Sequence, residues 1–208
     1  MPEKFAGGDA AALAQLLSSN HLGHFAFVVD GGPRVLPIAI AAEFGADGTP
    51  SILVHGSTGS HWLRLLATGM PVALSVTALD ALVVARSAFE SSMHYRSAVL
   101  FGSCAPVPAA DKGHALDVVT DALIPGRVAE LRVSTAKELA ATLILRMTVE
   151  EWSLKISDGW PEDEAPDVAG PAWAGVLPLA TGYTAAHPTP DLAEGIPIPP
   201  SVAALLTN

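Results

Sequence analysis

Two short segments of the chain combine residue types that could hold an anionic ligand. The first, residues 54–61, follows a β-rich run, precedes a helical one, and consists mostly of small and hydroxylated residues. Such a turn exposes backbone N–H groups at a helix N-terminus, where a phosphate binds readily. A plain strand–turn–helix junction with a serine cap explains the same pattern. The candidate ligands are His55, Gly56, Ser57, Ser60 and His61.

The second segment is the triplet Tyr95, Arg96 and Ser97, which opens an apolar, strand-like run. The guanidinium of Arg96 needs a partner there, and a phosphate or a carboxylate offers two oxygens in the matching geometry. Tyr95 adds a flat, rigid face and a hydroxyl. The alternative is that Arg96 pairs with an Asp or Glu of this acidic protein.

Other familiar signatures do not occur in the sequence. It has no P-loop, no glycine-rich dinucleotide motif, no zinc-protease motif and no serine nucleophile elbow. Residues 134–138 contain a Ser-x-x-Lys pattern, but they also have the spacing of a helix capping box, which explains them better. The pairs His21/His24 and His55/His61 have no cysteine or carboxylate cluster beside them. We therefore expect no site for a bare metal ion.

Composition limits the class of protein. The chain has 208 residues, half of them apolar and 15% charged, which is enough to bury a core. Its net charge of −10 disfavours nucleic-acid binding. The single cysteine, Cys104, excludes an intramolecular disulfide, and its apolar surroundings predict an inert buried thiol. Because no targeting or membrane segment is recognisable, we expect a cytoplasmic protein.

Charge and proline content divide the chain in two. Residues 158–208 carry seven acidic residues, no Lys or Arg, and nine of the 17 prolines. Such a segment forms neither a regular helix nor a central strand, so it is an extended strap or a disordered tail. Large apolar residues such as Trp173 favour a strap. We predict a folded domain over 1–157 and an acidic C-terminal strap or tail over 158–208.

Strand-like runs and turn signals alternate along the body. Asp9 and Thr135 are placed to cap helices, and helical patterns span 59–68 and 111–123. Apolar residues occupy odd-numbered positions before Glu150 and even-numbered positions after Glu151, and this change predicts a β-bulge. The predicted strands span 23–29, 35–44, 51–55, 71–78, 81–86, 96–107 and 143–156, with a hairpin between the fourth and fifth. The pattern predicts a mainly β fold, a small antiparallel barrel with peripheral helices.

The sequence resembles the pyridoxamine 5′-phosphate oxidase-like flavin-nucleotide-binding proteins, the FMN-binding split barrels. The resemblance is global, because the matching stretches cover roughly residues 10–180 in order. They are residues 22–27, 37–38, 55–57, 85–89, 92–97, 125–127, 137–140 and 173–178.

The resemblance implies a six-stranded antiparallel split barrel that forms a homodimer, with FMN in two clefts at the subunit interface. FAD is the alternative flavin. In this picture residues 55–61 together with Arg96 and Ser97 hold the phosphate. Pro37 and Ile38 lie along the flavin ring with Tyr95 nearby. Trp173 then covers the ring or the dimer seam, or else packs in the core.

The chain departs from the family pattern at three points. His94 stands where relatives often carry Asn, and Ile156-Ser157 lacks the Arg that often follows the Lys. The C-terminal Arg/His cluster that holds pyridoxamine phosphate is missing as well. The resemblance therefore implies a flavin-dependent oxidoreductase for another small molecule, rather than a vitamin B6 oxidase.

Three hypotheses for function follow. The first is a flavoenzyme in which His55 is the catalytic residue, by analogy with the histidine near the flavin in nitroimidazole reductases. His94 is the other titratable candidate near the site. The second is a flavin carrier or sensor without catalysis. The third is a split barrel that binds haem, FAD or a deazaflavin in place of FMN, or that has lost the flavin.

Overall fold

The structure, a computed structural model, describes residues 9–207 of the chain. The strands are β1 (Leu22–Val29), β2 (Gly32–Ala39), β3 (Ala41–Phe44), β4 (Pro50–Ser57), β5 (Pro71–Val84), β6 (Ser92–Pro106), β7 (Thr142–Ser157) and β8 (Gly175–Pro178). The helices are α1 (Ala10–Ser19), α2 (His61–Leu66), α3 (Lys112–Leu123), α4 (Ala136–Ala141), α5 (Ala165–Val168) and α6 (Pro200–Leu205), with a 3-10 turn at Val128–Glu130. Among these helices none is long and apolar enough to cross a membrane.

One antiparallel sheet contains all the strands in the order β2-β1-β5-β6-β7-β4-β3, with β8 added along β5. The two edge strands β2 and β3 are consecutive in the chain and separated by the single residue Ile40. Because one residue joins the two edges, the sheet must curl round on itself. This curling gives the mainly β barrel that the sequence predicts, with eight strands rather than six.

Two of the predicted strand boundaries are wrong. The run 35–44 divides into β2 and β3, because its first part pairs with β1 and its second with β4. The predicted hairpin between 78 and 81 does not form. Instead β5 continues through this point with a bulge at Asp80, because β6 pairs with it along almost its whole length.

The predicted bulge in β7 is confirmed and has a clear cause. Phe101 pairs with Glu151 while Gly102 pairs with Val149, so Glu150 is the extra residue. A side chain at Gly102 would collide with the Thr148 carbonyl oxygen, which makes this a close approach of two backbones. The bulge lets apolar residues before and after it face the same side of the sheet.

The main core lies on the inner face of the curled sheet and is closed by α1 and α2. Along β1 buried residues alternate with exposed ones, and Phe25 is fully buried. Asp9 caps α1 as predicted, and Thr135 with Glu138 forms the predicted capping box of α4. A second, smaller core packs α3 against the opposite face of β3 and β4. Cys104 is buried in the main core, as predicted.

Residues 158–207 run over the surface as a strap that is attached to the body at several points, among them a 2.7 Å hydrogen bond between His94 Nε2 and the Gly159 carbonyl. The Asp163 carboxylate accepts hydrogen bonds from the backbone N–H and the guanidinium of Arg86, and its side chain is 1% exposed. Strand β8 pairs with the end of β5. Near the C-terminus, Ser201 donates hydrogen bonds from its N–H and its hydroxyl to the Glu130 carboxylate. Trp173 is 65% exposed, so it does not lie in the core of this chain.

Candidate functional site

Residues 54–61 form the end of β4 and the start of α2, and their small residues make local hydrogen bonds. Ser57 Oγ accepts from the Gly59 N–H at 3.1 Å, and Ser60 Oγ caps α2 by accepting from the Leu63 N–H at 3.4 Å. The Ser60 N–H donates to the Ser57 carbonyl at 2.9 Å. The strand–turn–helix junction is therefore present, and each serine hydroxyl keeps its own proton to donate to a ligand.

His55 lies in β4 opposite Ile144. Because alternate residues of a strand share a face, His55 points to the same side as Leu53, which is the side covered by α3. Its Nδ1 is buried and makes no hydrogen bond within the described residues. Burial lowers the pKa of His55, so that the imidazole is neutral at pH 7.

The rest of this segment packs α2 onto the barrel. An added Cβ at Gly56 would lie 2.6 Å from the Leu63 side chain, so glycine allows the helix to approach the strand. The rings of His61 and Trp62 meet edge to face with their centroids 5.0 Å apart. The centroids of the Trp62 and Phe27 rings are 6.0 Å apart. His61 is exposed beside this aromatic pair.

Arg96 is paired with a carboxylate of its own chain. Its Nε donates to Asp80 Oδ2 at 2.9 Å and its Nη2 to Oδ1 at 2.8 Å, a bidentate arrangement. The hydrogen bonds from Arg96 lower the pKa of Asp80. Arg96 therefore pairs with a carboxylate, which is one of the two partners that the sequence allowed. This carboxylate belongs to Asp80, the residue that bulges out of β5.

Tyr95 and Ser97 lie on the opposite face of β6 from Arg96, because successive strand residues alternate. Ser97 pairs across the strands with Thr77 of β5 and Lys155 of β7. The Lys155 ammonium lies 5.1 Å from the centre of the Tyr95 ring, a cation–π contact. These side chains share the side of the sheet that is turned away from the main core.

Pro37 and Ile38 also lie on opposite faces of the sheet. Ile38 packs against the main core, whereas Pro37 is exposed on the other side and pairs with His24 of β1. His24 in turn pairs with Ser75 of β5. Of the two residues that the resemblance placed along the flavin ring, Pro37 alone is therefore on the same side as Tyr95 and Ser97.

We call this side of β1, β2, β5, β6 and β7 the outer face. Its residues near the centre are mostly small or polar, and sequence analysis did not single out most of them. They are His24, Ala26, Pro37, Ala73, Ser75, Thr77, Tyr95, Ser97, Val99, Ser153 and Lys155. In the sequence, His24 and Ala26 alternate with Phe25 and Phe27, and this alternation is the signal that could have identified His24. The others required the strand register, which the sequence does not supply.

The two predicted halves of the site are not brought together by strand pairing within one chain. Ser57 pairs with Thr142 at the beginning of β7, whereas Tyr95 pairs with Ser157 at its end. These two positions lie at opposite ends of β7, which is roughly 50 Å long when measured along the chain at the usual rise per residue. A binding site that contains both segments therefore cannot be formed by strand pairing within one chain.

A cleft of about 640 Å³ lies between the outer face and the strap. Its walls come from the start of β1, the middle of β5, the end of α3, and the strap with α6. The lining includes His21, His24, Thr77, Leu123, Tyr183 and Leu205. A neighbouring cavity of about 470 Å³ between α1 and α3 shares His21 and also contains His114.

Residues 9–156 match the family model described as pyridoxamine 5′-phosphate oxidase. The chain belongs to this family. A search of curated proteins gives no match. Among solved structures, the FAD and haem binding protein from Mycobacterium smegmatis is 50% identical, with a TM-score of 0.90 over 98% of this chain and 97% of the other. The expected family and the split-barrel fold are thus confirmed.

Two further solved members of the structural group are more distant. The flavocytochrome Anf3 from Azotobacter vinelandii is 31% identical, with a TM-score of 0.84 over 95% of this chain and 90% of the other. A putative 5-nitroimidazole antibiotic resistance protein from Bacteroides thetaiotaomicron has a TM-score of 0.59 at 15% identity, over 73% of this chain and 90% of that one. The last likeness shows the fold alone.

Proposed function

We propose that this member of the pyridoxamine 5′-phosphate oxidase family is a redox protein that binds both a flavin nucleotide and haem. The main support is the similarity, over nearly the full length of both chains, to the FAD and haem binding protein of Mycobacterium smegmatis. The flavocytochrome Anf3 points in the same direction. We favour FAD over the FMN expected from the sequence, because the 50% identical protein binds FAD.

The outer face fits a flavin ring. A planar ring system needs a flat shelf without large side chains, and Ser75, Thr77 and Ser97 form adjacent rows of small residues there. Tyr95 can bound the shelf at one end. Lys155 brings positive charge to the same face, where an anionic phosphate needs it. The flavin itself supplies the hydride and electron chemistry, and the protein orients it.

We propose that a second copy of the chain completes the flavin site. Large apolar side chains are exposed at one end of the outer face: Leu79 (43%), Leu82 (52%), Met93 (46%) and Leu177 (47%). Leu82 pairs directly with both Met93 and Leu177, so these three form one patch of a kind that marks interfaces. We propose that, in this two-fold dimer, residues 54–61 of one subunit complete the site on the outer face of its partner.

The chain's own residues limit the chemistry. His55 is neutral and lies within residues 54–61 near the end of β4, so it is our candidate for proton transfer to a bound small molecule. The strap contains no Lys or Arg, which argues against a substrate phosphate held from that side. We therefore propose an oxidoreductase acting on an unidentified small molecule that is not pyridoxamine phosphate.

The test begins with the absorption spectrum of the purified protein, supplied with haem and flavin during expression. Flavin and Soret bands are expected together, and chromatography of the released flavin should give FAD. Ser97→Trp, which puts a large side chain on the shelf, should remove the flavin. Thr148→Trp, an exposed position in the middle of β7 on the other side of the bulge from Lys155, is the control and should retain it. A protein that binds neither FAD nor FMN would refute the proposal.

A further inference from the structure

The cleft between the outer face and the strap has the size and chemistry of a cofactor pocket. Its volume of about 640 Å³ lies within the usual range of roughly 300–1,000 Å³ for such sites. Leu123, Ile124, Val202 and Leu205 give it apolar walls, and polar groups enter from β1, β5 and the strap. A flat hydrophobic ring system with one metal-binding position suits this combination.

No group of three or more His, Cys, Asp or Glu residues that could hold a bare metal ion occurs in the described part of the chain. A porphyrin changes this requirement, because its ring supplies four nitrogens and the protein needs to add a single axial ligand. Neutral histidine is the commonest metal-binding side chain and an established ligand of haem iron. The cleft contains two histidines that could act in this way, His21 and His24.

His24 is the better placed of the two. It lies on the outer face of β1, it is exposed, and its imidazole makes no hydrogen bond within residues 9–207. Both of its ring nitrogens are therefore available. His21 precedes β1, and its Nδ1 is enclosed by protein and makes no hydrogen bond among the described residues. Burial lowers the pKa of His21, and the backbone of Ile40 partly offsets this effect.

We propose that His24 is an axial ligand of a haem bound in this cleft, with the strap residue Tyr183 in the surrounding wall. The assignment rests on the proposed haem binding and gives it a position in the fold. Thr77 belongs both to the cleft and to the rows of small residues on the outer face. The cleft and the proposed flavin shelf therefore adjoin at Thr77.

The experiment compares wild-type protein with His24→Ala and His21→Ala, each expressed full-length with haem supplied. His114→Ala is the matched control, because His114 lies in the neighbouring cavity and not in this cleft. The readouts are haem content, the position of the Soret band and the electron paramagnetic resonance spectrum. Far-UV circular dichroism and thermal unfolding show whether each variant is folded.

His24→Ala should lose the histidine-ligated spectrum, and added imidazole should restore it by entering the vacated space. His21→Ala and His114→Ala should keep the wild-type spectrum. If His24→Ala is folded and keeps the wild-type spectrum, His24 is not the ligand, and the assignment is overturned while haem binding stands. If the wild-type protein takes up no haem, both the assignment and the haem part of the proposed function are wrong. A spectrum lost without imidazole rescue would also overturn direct ligation.

Discussion

The backbone crossing at Gly102 gives a sharp test of how the fold positions the outer face. Gly102 lies directly beside the bulged residue Glu150, and an added Cβ would collide with the Thr148 carbonyl oxygen. Replacement by alanine must push β6 and β7 apart at this point. The cost combines overpacking, about 1–3 kcal/mol, with weakened hydrogen bonds of about 0.5–1.5 kcal/mol each. We expect Gly102→Ala to lower the free energy of unfolding by about 2–4 kcal/mol.

The same change should affect the proposed flavin site. The bulge sets which residues of β7 face outward after Glu150, and it places Ser153 and Lys155 on the outer face. Because a slip of one residue turns every later side chain to the other side, relieving the collision by changing register would turn Lys155 inward. Flavin content should therefore fall in Gly102→Ala even where the protein remains folded.

Urea unfolding followed by circular dichroism measures the first effect, and the flavin absorption of the folded protein measures the second. Gly113→Ala is the control, because nothing lies within 4 Å of an added Cβ there and the site is helical. That variant should be equal to wild type or more stable by up to about 1 kcal/mol. Wild-type stability and flavin content in Gly102→Ala would refute our account of the bulge.

Three further outcomes are expected. Burial raises the pKa of Cys104 to about 12, so thiol reagents at pH 8 should modify it only after denaturant unfolds the protein. Arg132 and the Thr135 cap lower the pKa of Glu138 from 4.5 to about 2. The stabilisation of α4 by the Glu138 carboxylate is therefore present above pH 4.5 and is lost as the pH falls towards 2. Thermal unfolding measured over this pH range should be less acid-dependent in Glu138→Gln than in wild type, and equal acid dependence would contradict this account. Burial lowers the pKa of His55 below 6.5, so its neutral form stabilises the fold above that pH and the contribution is lost as the pH falls through the lowered value; His55→Phe should flatten thermal stability between pH 7.5 and 5.5.

Local features were predictable from the sequence because they depend on a few neighbouring residues. The caps at Asp9 and Thr135 and the bulge near Glu150 are of this kind. The continuity of β5 was not, because the bulge at Asp80 depends on a long partner strand far along the chain. A turn signal and a bulge have similar local sequences, and pairing with β6 decides between them.

The candidate site shows the same division. The sequence identified residues 54–61 and Tyr95 to Ser97 as the chemically informative segments, but it could not show that Arg96 faces Asp80. That pairing depends on a bulge that no local pattern indicated. The sequence indicates His24 as half of a histidine pair without further metal ligands, and it does not place His24 in the cleft, because that position depends on how the strap returns across β1.

The strap's attachments explain how it forms one wall of this cleft. A chain segment with seven acidic residues and no basic ones repels itself, so it needs specific attachments to stay on the barrel. Asp163 pairs with Arg86 at one end, and Ser201 binds Glu130 at the other. Tyr183 lies between these two points and lines the cleft. With both ends fixed, the strap forms one wall of the cleft, and this wall faces the exposed His24 of β1.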